Sequence, residues 1–136
     1  FYRAPLRRHT TNTPFTMDGV NSLPRVDIVY SYAGADGLLV DAVRNNHSDG
    51  LILAGFGGGT FPPEVLDSAV KLVDDGTPVV LASRSTAGRV VSTPRKTEQG
   101  FIVSDNLLPQ KARILLMLGL TTSKDPNELQ QMFYDY

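Results

Sequence analysis

The sequence predicts an α/β domain: a small parallel four-stranded sheet flanked by helices. Short apolar and β-branched runs recur at Val26 to Tyr30, Leu51 to Ala54, Pro78 to Ala82 and Phe101 to Val103. Stretches of helical period separate the first three of these runs, which makes a βαβαβ unit with right-handed crossovers. The run at Pro78 to Ala82 is almost continuously apolar, as a parallel strand covered on both faces must be.

The elements follow in order. Phe1 to Pro24 is rich in Arg, Thr, Pro and Asn without a sustained apolar period, so it reads as an extended arm or linker. After the first strand, Ala35 to Asn46 places Leu38, Leu39, Ala42 and Val43 on one expected helical face. The second strand leads into a glycine turn, Gly55 to Gly59, and then a helix with Val65, Leu66, Ala69, Val70 and Val73 as its apolar positions. Pro62 and Pro63 suit the start of that helix, and Asp75-Gly76 suits its end. Beyond Ser83 the pattern lapses, and Arg84 to Gln99 reads as a long polar loop of the kind that carries function or moves. Pro109 starts a helix whose Ala112, Ile114, Leu115, Leu116, Leu118 and Leu120 are apolar nearly all round, which predicts burial. A last helix opens with Asp125, Pro126 and Glu128 at the spacing of a capping box, Asp125 in the cap role.

Composition narrows the function classes. The 136 residues, 41% of them hydrophobic, suffice for one core. With 13 basic and 14 acidic residues and a formal net charge of -1, nothing in the charge balance favours nucleic acid or an anionic membrane surface as a partner. The chain contains no Cys, which removes disulfides, thiolate metal sites and a Cys nucleophile. No apolar run approaches the ~20 residues that span a bilayer. The chain starts at Phe1 without a signal-like segment, so any targeting peptide is expected upstream or already lost.

In an open parallel sheet, ligands bind beyond the carboxyl ends of the strands. That places the candidate chemistry in Ser31 to Asp36, Gly55 to Phe61 and Arg84 to Gln99. GFGGGT has two readings. Its glycines permit positive φ and close backbone approach to an anion at a helix N-terminus, or they simply form a tight turn capped by Thr60. A dinucleotide site is a rival, but Thr60 stands where its third glycine belongs, and Arg84 stands where an acidic residue would hold a ribose. Arg84 would instead suit a 2'-phosphate. No Lys follows the glycines as a P-loop requires. His9 and His47 are the only histidines; one lies in the arm and the other on the amino edge of the sheet, so both are expected to be solvated. Asp36, Glu64 and Glu98 are unpaired carboxylates, and Arg84, Arg89, Arg95 and Lys96 make the long loop basic. Neither G-x-S-x-G nor H-E-x-x-H occurs. Asn46-His47-Ser48 fits the glycosylation pattern, which is common.

Several motifs, in order, resemble one family. VSDNLLPQKARILLMLGLTTSKDPNELQQMFYDY, from Val103 to Tyr136, is similar to the C-terminus of bacterial-type L-asparaginases. Pro109, Gln110, Lys111, Ala112, Arg113, Asp125, Pro126 and Tyr136 match that family's pattern, whereas Leu108 stands where it usually has Asn. LPRVDIVYSYAGAD resembles the opening of the family's second domain, GLILAGFGGGT its strand and glycine loop, and GTPVVLASR its third strand. FYRAPLRRHT resembles the last strand of its N-terminal domain and the linker.

The resemblance implies residues 1–24 as the end of an N-terminal domain plus linker, and 25–136 as a Rossmann-like C-terminal domain. It implies hydrolysis of L-asparagine to aspartate and ammonia, with no cofactor or metal, by a threonine nucleophile and a Thr-Asp-Lys group in the N-terminal domain. This chain has neither Thr-Gly-Gly-Thr nor Thr-Asp-Lys, so alone it is expected to be inactive. By the same resemblance it belongs to a homotetramer built from close dimers, in which this domain roofs a neighbouring subunit's site. Thr60, with Gly59, stands at the family's substrate-contacting position; Glu98 is the nearest candidate for a loop Glu that the family also uses. The likeness to type II enzymes implies a secreted or periplasmic protein.

Overall fold

The computed structural model describes residues 7–136. Strands β1 (Val26–Tyr30), β2 (Gly50–Gly55), β3 (Val79–Ser83) and β4 (Ile102–Val103) form one four-stranded sheet in the order β1-β2-β3-β4, and every neighbouring pair is parallel. All four carboxyl ends therefore meet at one edge. The helices are α1 (Leu38–Asn45), α2 (Pro63–Asp74), α3 (Pro94–Glu98), α4 (Pro109–Gly119) and α5 (Pro126–Asp135).

Successive side chains of a strand point to opposite faces, and both faces are filled here. Leu51, Leu53, Val79 and Leu81 pack with Val40, Val43, Val65, Ala69 and Leu72 from α1 and α2. Ile52, Val80, Ala82 and Ile102 pack with Ala112, Leu116, Leu129 and Phe133 from α4 and α5. This two-sided covering is why β2 and β3 are buried along their whole lengths and why their sequences run apolar without alternation. Helix starts follow local chemistry. Proline occupies the first helical turn of α2 to α5, where its missing N–H costs nothing. At α5, Oδ1 of Asp125 accepts from the amides of Asn127 and Glu128, the expected cap. Ser123 Oγ rather than Glu128 completes it, accepting from Asp125 N at 3.0 Å.

Three expectations need correction. α1 buries Val40 and Val43, while Leu38 and Leu39 are 68% and 49% exposed. Val40 and Val43 lie one turn apart and face the sheet; Leu38 and Ala42 fall on the opposite side of so short a helix. The stretch Arg84 to Gln99 is not all loop, because Thr93 Oγ1 accepts from Lys96 N and caps the five-residue α3. Nor is α4 buried all round: Ile114 is half exposed, bordering an apolar groove shared with Phe15, Met17 and Leu118.

The expected arm lies partly outside the described residues, which begin at residue 7. Its described part packs on the domain. Arg8 N donates to Asp135 O at 2.7 Å, Tyr136 Oη donates to Thr13 Oγ1 at 3.0 Å, and the rings of Phe15 and Tyr136 lie 5.5 Å apart. The helix at the chain's end thus holds the arm that precedes the sheet.

Burial decides which apolar positions of α4 matter. Leu116→Ala is expected to lower unfolding free energy by ~2–5 kcal/mol and Ile114→Ala by under ~1 kcal/mol, both read from urea denaturation.

Candidate functional site

The carboxyl edge carries three loops, and Arg84 ties them together. Its backbone amide donates to Gly55 O at 2.8 Å, extending the β2–β3 ladder by one step. Its Nη1 donates to Ser31 O at 2.8 Å, and its guanidinium sits 4.1 Å over the Phe56 ring. One side chain therefore contacts the loops after β1 and β2 while belonging to the loop after β3. The guanidinium that would have suited a nucleotide phosphate is engaged inside the protein.

The glycine loop is a tight reversal. Phe56 N donates to Thr60 O at 3.0 Å, and the amides of Gly59 and Thr60 both donate to Phe56 O at 2.9 Å. Gly57 and Gly59 have φ of 45° and 85°, the left-handed region that glycine enters without steric cost. At Gly55 the reason is space, because a Cβ would lie 2.4 Å from the Phe61 ring and 2.6 Å from Thr60 O. The backbone of Thr60, not its hydroxyl, closes the turn. Among the described residues that hydroxyl makes no hydrogen bond, and Thr60 is exposed.

The start of α2 is a weaker anion site than most helix ends, although Arg95 and Lys96 line the hollow beside Thr60. Pro62 and Pro63 occupy the cap and first helical positions of α2, so two potential N–H donors are missing, and Glu64 puts a carboxylate in the first turn.

The loop after β3 splints the turn. Val90 is buried, and its side chain lies where a Cβ on Gly59 would be only 2.9 Å away. Lys96 Nζ donates to Gly58 O and Val91 O, each at 3.0 Å. A hollow of ≈390 Å³ opens between Thr60, Asp67, Thr93, Arg95, Lys96 and Gln99. Gly59 and Thr60 both line it, whereas Glu98 is exposed on α3 and is not among its lining residues. His9 and His47 are exposed and away from these loops; His9 Nδ1 instead accepts from Thr11 N.

Sequence reasoning missed Asp105, which follows β4. Its buried carboxylate pairs with Arg7 of the arm, at 2.7 Å, and with Arg89 of the long loop. Its carbonyl accepts from Val90 N at 2.8 Å, and its φ is 54°. Thus Arg89 and Lys96 are bound, not simply solvated. The available signal was an acidic residue directly after an apolar strand, with arginines far away in sequence. Elsewhere, at the opposite edge of the sheet, a hydrogen bond from Arg44 holds exposed Asp75 below the ordinary carboxylate range. Among the described residues no group of three His, Cys, Asp or Glu is placed to hold a metal.

Comparison with known proteins bears on this arrangement. Residues 25–133 match the model of the family described as the glutaminase/asparaginase C-terminal domain. The chain is 41% identical over 138 residues to "L-asparaginase 2" of Escherichia coli (strain K12), covering 100% of this chain and 40% of that protein. It is 38% identical to "Probable L-asparaginase periplasmic" of Haemophilus influenzae, with the same coverages of 100% and 40%. A crystal structure of a probable cytoplasmic L-asparaginase from Campylobacter jejuni superposes with a TM-score of 0.92 at 38% identity, over 100% of this chain and 45% of that one. The chain therefore spans about 40% of the length of the curated relatives it matches.

Asp105 gives a graded test. Asp105→Ala should cost about 3 kcal/mol, near the low end for breaking a buried pair because Arg7 and Arg89 keep about a fifth of their surface in water. Asp105→Gly should cost ~1 kcal/mol less, since glycine accepts the positive φ. Equal losses in urea denaturation would remove the backbone part of this account.

Proposed function

Because the chain belongs to the glutaminase/asparaginase C-terminal domain family, we propose that it is the C-terminal portion of an L-asparaginase, completing an active site whose nucleophile lies in another domain. Residues 1–24 are then the end of the N-terminal domain and the linker, and residues 25–136 the C-terminal domain. In the proposed reaction a threonine oxygen of the N-terminal domain attacks the side-chain amide carbon of L-asparagine. The C–N bond breaks and ammonia leaves; water then cleaves the ester to give aspartate and regenerate the threonine. No cofactor takes part.

The observation that carries this reading is the exposed, unpartnered hydroxyl of Thr60, raised by a glycine turn at the carboxyl edge. Its surroundings support an edge covered by another surface: Tyr32 is 51% exposed and Leu38 68% exposed on the neighbouring loop and helix. A hydroxyl accepts from the ammonium group of an amino acid, and Glu64 adds a carboxylate to the first turn of α2 nearby. Gly59 brings backbone to the same place. Glu98, exposed at the end of α3, is the proposed third contact, reached across the interface and not through the hollow. The neighbour is a second subunit, within a tetramer of paired dimers. Export is the proposed destination, on the likeness to type II enzymes; among the described residues no helix is long and apolar enough to cross a membrane.

Ammonia release tests the reading. The isolated chain should give none from L-asparagine, and a mixture with a polypeptide carrying the N-terminal domain should give it. Thr60→Val in that mixture should raise KM about tenfold, the worth of roughly one hydrogen bond to a charged group, with kcat changed less. Ammonia from the chain alone would contradict it.

A further inference from the structure

We infer that Lys96 is the positioning residue of the glycine loop: its ammonium group, anchored to the loop after β3, holds the turn in the shape that presents Thr60. For its catalytic consequence this rests on the reading above, whereas the geometry stands without it.

The turn needs an outside support. Gly57, Gly58 and Gly59 are consecutive residues without side chains, so no side chain of theirs restrains the backbone, and glycine pays the largest conformational entropy for being ordered. The backbone bonds between Phe56 and Thr60 close the ends of the reversal and leave its tip at Gly57 and Gly58. Lys96 grips that tip, donating to Gly58 O at 3.0 Å, and the same nitrogen donates to Val91 O at 3.0 Å. The Val91 carbonyl is itself placed, because Val90 beside it is fully buried and bonded through N–H to Asp105 O. A chain of contacts thus runs from β4 through Asp105, Val90 and Val91 to Lys96, and from there to the glycine tip.

Lys96 is held in place in turn. It sits on α3, whose cap is the Thr93 hydroxyl, and Thr97 donates to Thr93 O at 3.2 Å. Partial burial lowers its pKa from the usual lysine value, as expected of an ammonium withdrawn from water to face carbonyl oxygens. Arg95 lines the same hollow from α3 and Asp67 from α2, yet the bonds Lys96 makes go to backbone carbonyls. A cation that only solvated the loop would point outward.

Amide hydrogen exchange on the isolated chain is the test, comparing Lys96→Met, Lys96→Gln and Lys96→Arg. Loss of the bond should speed exchange at Gly59 and Thr60 about tenfold in the Met and Gln variants, a local opening that leaves the amides of β2 and β3 protected as before. Arginine, with five donors, should restore protection to within about twofold. Wild-type exchange at the loop in both the Met and Gln variants would overturn the inference, as would faster exchange spread evenly over the whole domain. In the reconstituted mixture, Lys96→Met should raise KM about tenfold with kcat within about twofold, and Arg should rescue it. A mixture that releases no ammonia even with the wild-type chain would refute the asparaginase reading and leave the exchange result to decide the role of Lys96.

Discussion

Parallel pairing of four consecutive strands is the constraint on which everything else in this domain depends. Because the strand order follows the chain order, each strand must be followed by a return crossing, and each strand delivers its outgoing loop to the same edge. Tyr30, Gly55, Ser83 and Val103 end there together. The register brings Ala54 opposite Tyr30 and Ser83 opposite Gly55, so the outgoing loops leave from neighbouring positions. Arg84 and Asp105 then link them with charged groups at short range.

The chemistry at that edge is one of presentation. Both histidines, His9 and His47, are exposed and lie away from GFGGGT. What the residues achieve is a shaped turn with one free hydroxyl, bounded by prolines that remove N–H donors and a glutamate that adds negative charge. In the proposed division of labour, another polypeptide supplies the reacting atoms and this surface helps to hold the substrate.

Much of the fold was legible because buried parallel strands need no alternation. Apolar runs at residues 51–54 and 78–82 read as covered strands; β2 extends the first by one residue at each end, and β3 is shifted by one residue from the second. α2 and α5 were legible from local signals, proline and glycine for the first and the Asp125 cap for the second. α3 was hidden since a proline and four polar residues carry no period, and only Thr93-Pro94 hinted at it. The inward face of α1 was misread because five apolar residues crowd eight positions, and the sequence does not say which of them the sheet will meet. In the site, GFGGGT was found as a turn, but its supports were not. Arg7 and Asp105 are 98 residues apart, and Lys96 meets Gly58 across 38, so these contacts exist only after the sheet has formed.

The central claim is that Thr60 faces the reactive centre of a different subunit. Site-directed cross-linking from position 60 tests it most directly: Thr60→Cys, joined to a short thiol-reactive cross-linker, in the oligomer reconstituted with the N-terminal domain. The account predicts a covalent product between two subunits, mapped by mass spectrometry to the neighbour's N-terminal domain and suppressed by L-asparagine. Products confined to a single subunit, or reaction unaffected by L-asparagine, would contradict it.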